Sequence, residues 1–228
     1  MKKKINIGIL GLGYVGLPLF LEFSKKFDVK GFDISKEKIE QLLKKKDYTN
    51  QFKKKDLKNI SSKNIHYESS ILKDCNFFIV TVPTPINHKK LPDLSAVILA
   101  TQILSNYIDD GDYVVYESTF YPGVTEDICV KIIEKKTKLK PFKKVIKKGQ
   151  KGFHYGYSPE RINPGDLKHN LKNIIKITSG GTKSSANYID NVYRKICSAG
   201  TFKVRSVKIA EGAKVIENTQ RDVNIALI

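Results

Sequence analysis

The chain has 228 residues, 40% of them hydrophobic, so it can bury a core and is neither disordered nor collagen-like in composition. No apolar run approaches the roughly 18 residues that a membrane-spanning helix needs, and the opening MKKKINIGILG runs into glycines without a signal-peptide cleavage site, so a cytoplasmic protein is expected. The net charge of +18 invites nucleic acid, yet only four of its 41 basic residues are arginines (Arg161, Arg194, Arg205, Arg221) and the lysines are spread along the whole chain, so no nucleic-acid partner is expected.

In chain order, residues 5–10 (INIGIL) form a short apolar run that reads as a buried strand, and a helix follows from about Leu17 to Phe27. Residues 29–33 read as a second strand and 35–46 as a helix with Ile39, Leu42 and Leu43 on its apolar face. The stretch 47–70 is polar and irregular. Residues 75–83 read as a third strand stopped by Pro83, 92–104 as a helix, and 112–119 as a fourth strand. A helix from Thr125 to about Lys135 leads into a lysine-rich loop. Residues 153–159 and 173–180 are strand-like, 183–197 helical, TFKV a short strand, and a last helix runs from about Ser206 to the end. Alternating strand and helix signals imply an α/β fold with a doubly wound parallel sheet. The three cysteines, Cys75, Cys129 and Cys197, lie far apart without a CxxC or Cys/His pattern, so neither a metal site nor a disulfide is expected.

The segment GILGLGYVGLPL carries Gly11, Gly13 and Gly16 in the spacing GxGxxG, after a strand and before a helix. In that setting the first glycine permits a tight turn, the second lets the backbone approach a pyrophosphate, and the third lets helix and strand pack closely. The helix N-terminus then faces the phosphates. Asp33, at the end of the next strand, would accept from the adenosine ribose hydroxyls and repel a 2′-phosphate, which favours NAD over NADP; Lys38 lies close enough to that edge to qualify the preference.

Doubly wound sheets bind ligands at the carboxyl ends of their strands. Pro83 and Thr84 follow the third strand, Ser118 and Thr119 the fourth, and Glu160 and Arg161 the fifth. The alternative for Glu160 and Arg161 is a mutual or local salt bridge. On the last helix Lys214, Asn218 and Arg221 (or Asp222) share one face and interrupt an apolar pattern, as either a solvated stripe or a ligand-facing one.

Taken in order, GLGYVGLP, VPTP, EST-x-x-PG-x-T, YSPERINPGD and AKVIENTQRDVNIAL resemble the UDP-glucose/GDP-mannose dehydrogenase family, most closely its UDP-N-acetylglucosamine or -galactosamine 6-dehydrogenases, over essentially the whole chain. The resemblance implies a Rossmann-type NAD-binding domain over 1–204 and the start of a long central dimerisation and substrate helix over 205–228, without the C-terminal UDP-sugar-binding domain. It implies oxidation of the sugar C6 alcohol to a carboxylate with two NAD⁺, for polysaccharide biosynthesis, by a homodimer. Tyr14, Val15, Asp33, Lys38, Thr84 and Thr119 would contact NAD; Arg161 and Ile162 would contact the nucleotide sugar. Lys214 would be the catalytic amine, Asn218 and Arg221 would hold substrate, and Glu160 would be a catalytic carboxylate. Pro164 stands where the UDP-glucose branch has a second Glu, which counts against plain UDP-glucose. The family's thioester-forming cysteine lies beyond Ile228, so this chain reads as the N-terminal part of a longer enzyme and is expected to be inactive alone. The alternatives are a non-catalytic NAD-binding remnant and a β-hydroxyacid dehydrogenase-like oxidoreductase, which also joins such a domain to a helix with Lys and Asn four apart.

Overall fold

The computed structural model describes residues 4–143, 149–160 and 173–227. Its centre is a seven-stranded, wholly parallel sheet. In chain order the strands are β1 (Asn6–Leu10), β2 (Asp28–Phe32), β3 (Ile65–His66), β4 (Phe77–Val80), β5 (Tyr113–Tyr116), β6 (Lys140–Pro141) and β7 (Gly152–Tyr157). Their spatial order is β3-β2-β1-β4-β5-β7-β6. The chain leaves β1 in one direction and β4 in the other, so a crevice opens between their carboxyl ends. Two further strands, β8 (Lys176–Thr178) and β9 (Thr201–Lys203), pair in parallel as a separate small sheet.

The central strands are near-continuous apolar runs because both faces are covered. One face carries α1 (Gly16–Phe23), α2 (Lys36–Leu43) and α5 (Lys183–Tyr193), which bury Phe20, Phe23, Ile39, Leu42, Ile189 and Tyr193. The other carries α3 (Ser95–Leu104), α4 (Val130–Thr137) and the first turns of α6 (Val207–Ala226), which bury Val97, Leu104, Ile133, Val207 and Ala210. Side-chain oxygens set three of the starts: Ser35, Thr182 and Ser206 accept from the backbone N–H groups of Lys38, Ser185 and Ile209.

The elements follow the sequence pattern with local departures. The helix expected from residue 92 begins at Ser95, because Pro92 pairs with Ile86 in an antiparallel bridge and Asp93 accepts from Ser95 N–H. The helix expected from Thr125 opens with a π-helical turn, Val124–Cys129, before α4. The two-residue strands β3 and β6 carry too few residues for a period-2 pattern to show.

Candidate functional site

A cavity of about 600 Å³ lies at the carboxyl ends of β1, β2, β4, β5 and β7. Of the residues singled out in the sequence, Gly11, Gly13, Tyr14, Val15, Asp33, Lys38, Pro83, Thr84, Ser118, Thr119, Glu160 and Lys214 all line it. Arg161 and Ile162 lie outside the described residues.

The glycine turn is built as its spacing requires. Gly11 has φ of +94°, in the region that glycine alone enters freely. A Cβ on Gly16 would stand 1.8 Å from the carbonyl oxygen of Gly11 and 2.5 Å from Thr81 Oγ1, so α1 packs onto the turn only with glycine there. Gly16 therefore lies behind the cavity wall. A Cβ on Gly13 would meet only the Tyr48 hydroxyl, at 3.4 Å, so the space over that peptide belongs to the cavity. A backbone cradle of this kind, open at Gly13 and closed at Gly16, fits a dinucleotide pyrophosphate.

Asp33 is 4% exposed. One carboxylate oxygen accepts from Leu12 N–H (2.8 Å) and Lys38 Nζ (2.6 Å), the other from Ser35 N–H (3.0 Å). The residue thus ties the glycine turn to the start of α2, and it meets the cavity edge together with Lys38. Ser118 has a comparable double role: its hydroxyl donates to the Val82 carbonyl (2.6 Å), joining the loops that follow β4 and β5.

At the other end of the cavity sits a cluster of buried charge. Lys214, on α6, donates from Nζ to the backbone carbonyl of Glu160. Burial holds the Lys214 ammonium below its ordinary value, with Glu160 opposing. The Glu160 carboxylate lies 3.7 Å from Lys176 Nζ. Lys176 in turn is ion-paired with Glu117 and donates to the Pro159 carbonyl (3.2 Å). Glu117 also accepts from the Tyr193 hydroxyl at 2.5 Å. Burial raises the Glu117 carboxyl against the pull of Lys176, whereas for Lys176 the attraction of Glu117 and Glu160 overcomes burial and raises the ammonium. Two acidic and two basic side chains are thus gathered at this end of the cavity.

Sequence reading passed over Glu117, Lys176 and Tyr48. The available signal was chemical: Glu in the EST segment and Lys in the apolar run NIIKIT are charges placed where strands should be apolar. Asn218 and Arg221 share a face with Lys214 as expected but do not line this cavity; Arg221 donates to Asn218 Oδ1 at 2.8 Å, and both are half-buried. All three cysteines are buried away from the cavity, and burial pushes Cys75 and Cys129 up to about 12 and Cys197 up to about 11. None is a thiolate at neutral pH. Among the described residues no group of His, Cys, Asp and Glu could hold a metal ion, and no helix is long and apolar enough to cross a membrane.

Comparison with known proteins gives the family and the fold. Residues 5–197 match the model of the UDP-glucose/GDP-mannose dehydrogenase family, NAD binding domain. The UDP-N-acetyl-D-glucosamine 6-dehydrogenase of Salmonella typhi is 49% identical over 225 residues, covering 99% of this chain and 51% of that protein. The enzyme of the same name from Pseudomonas aeruginosa is 47% identical over 226 residues, covering 99% and 52%. The solved UDP-D-ManNAc dehydrogenase of Pyrococcus horikoshii superposes with a TM-score of 0.85 at 32% identity, covering 98% of this chain and 52% of that one. The chain thus spans about half the length of the relatives it matches.

Proposed function

The chain belongs to the UDP-glucose/GDP-mannose dehydrogenase family, and from that premise we propose that it is the cofactor-binding part of an NAD-dependent 6-dehydrogenase acting on a UDP-N-acetylhexosamine. One observation carries the reading: a single cavity has the glycine cradle at one end and the Lys214–Glu160 pair at the other. A dinucleotide held by the cradle extends toward that pair, where the sugar C6 alcohol would meet it. The 6-dehydrogenases of Salmonella typhi and Pseudomonas aeruginosa supply the substrate class.

NAD, when bound, accepts hydride. Gly13 and the first turn of α1 would hold its pyrophosphate, and the Asp33–Lys38 pair, Thr84 and Thr119 would hold its remaining polar groups. Lys214 places an ammonium beside the C6 oxygen and stabilises the negative charge that develops there. Its lowered pKa brings it closer to proton exchange at neutral pH. Glu160 orients water or accepts its proton at the carbonyl stage. Asn218 and Arg221, one and two turns beyond Lys214 on the same face, are assigned to the nucleotide sugar in this reading. Exposed Ile216 and Val223, two turns apart on one side of α6, suit the covered face of a homodimer.

The second oxidation, from aldehyde to carboxylate, uses a cysteine thiolate in the family this chain resembles. No cysteine of this chain is placed or ionised for that step, so we assign the thiolate to polypeptide outside this sequence. The chain alone then binds NADH and forms no uronic acid. The native gene product, isolated from its source cells with an antibody to this chain, is the test. With UDP-N-acetylglucosamine or -galactosamine it should reduce NAD⁺, and Lys214→Met should abolish the reaction. Activity on plain UDP-glucose alone overturns the substrate class. Sustained formation of two NADH per sugar by the isolated chain overturns the assignment of the thiolate.

A further inference from the structure

The segment after α2 looks irregular in sequence but is a built loop. The Asp47 carboxylate accepts from Thr49 N–H (2.9 Å), Thr49 Oγ1 (2.8 Å), Gln51 N–H (2.9 Å) and Phe52 N–H (3.0 Å). Asn50 takes φ of +57°, Thr49 is buried and Phe52 packs against the core. This scaffold presents Tyr48 across the mouth of the glycine turn.

Tyr48 lines the cavity and is 38% exposed. Its ring lies beneath the Lys38 ammonium, 5.2 Å from the centroid, while Lys38 holds Asp33. Its hydroxyl is the nearest atom to the open side of Gly13 and donates to the Leu12 carbonyl at a long 3.4 Å. A bond of that length is weak and easily exchanged for a better acceptor. Burial raises the phenol further above neutrality, so the oxygen carries its proton.

We propose that Tyr48 is a cofactor-binding residue whose hydroxyl donates to the dinucleotide pyrophosphate as it settles on Gly13, while its ring keeps Lys38 on Asp33. The inference rests on the reading of this cavity as the dinucleotide site. The pyrophosphate approaches the second glycine of such a turn, and here that approach passes the Tyr48 hydroxyl. Hydrogen bonds to a charged acceptor exceed those to a carbonyl, so the exchange favours binding.

The test compares the chain with its Tyr48→Phe variant, which removes the hydroxyl and keeps the ring. Dissociation constants are measured for NADH by fluorescence, for ADP by calorimetry and for adenosine by NMR titration. The expected result is a roughly tenfold loss for NADH and ADP, the scale of one hydrogen bond to a charged group, with adenosine and the melting temperature unchanged. Equal affinities in the two proteins overturn the proposal. So does an equal loss for adenosine, which would place the hydroxyl's effect on the sugar or the loop. A parent chain that binds neither NADH nor ADP takes down the reading of the cavity itself, and this proposal with it.

Discussion

Lys176 and Glu117 form an ion pair whose side chains are 4% and 0% exposed, directly below the cavity. Such a pair contributes little net stability, because desolvation offsets its attraction, but breaking it strands a charge. Lys176→Met leaves Glu117 and Glu160 without their common cation and should cost about 3–5 kcal/mol. Glu117 would be pushed further above the usual carboxylate range. The folded variant would then hold a proton that the unfolded chain has released, so its stability should fall as pH rises past the ordinary Glu range. Adding Glu117→Gln should recover part of the loss. Urea titrations at several pH values measure both effects.

The two inner glycines should separate binding from folding. Gly13→Ala places its methyl in the cavity, 3.4 Å from the nearest atom, so the melting temperature should hold while NADH binding is lost. Gly16→Ala drives a methyl into the Gly11 carbonyl and Thr81 and should destabilise the fold by at least about 1–3 kcal/mol. Differential scanning calorimetry paired with NADH fluorescence distinguishes the outcomes.

Glu211, fully buried on α6, accepts from Gly123 N–H (2.6 Å) and Thr125 N–H (2.9 Å) at the start of the π-helical turn. It fastens the helix that carries Lys214 to the loop after β5. Glu211→Ala leaves two buried donors without that carboxylate and should cost about 2–4 kcal/mol in urea unfolding.

His154 stacks on Tyr113 at 4.2 Å and meets Ser185 Oγ at 2.8 Å through Nδ1. Burial pushes it down from 6.5 to about 4. Between those values the unfolded chain binds a proton that the folded chain refuses, so stability should fall as pH drops through 6.5 toward 4. The ceiling is about 3 kcal/mol, reduced by solvent screening because the ring is only partly buried. His154→Phe should flatten the dependence in thermal melts between pH 4 and 7.

Much of the architecture is legible along the chain because parallel strands buried on both faces are apolar runs, as in NIGIL and FFIV, and glycine turns have fixed spacing. Gly11, Gly13, Gly16 and Asp33 could be placed for the same reason: their roles depend on neighbours near in sequence. Glu160 and Lys214 were reached through the family motifs, but their grouping with Glu117 and Lys176 was not: the four come from separate segments, and Lys176 is bonded to Glu117 across 59 positions. The lysine in NIIKIT marks a charge within an apolar run, but nothing local names its partner. Tyr48 likewise sat in a polar stretch whose order comes from one Asp47 carboxylate gathering four hydrogen bonds. The sequence by itself determined the strand–turn–helix cradle, because periodicity and glycine geometry are local. Only the tertiary structure decided which charges are buried together and which hydroxyl faces Gly13, because desolvation and pairing depend on distances that chain order does not encode.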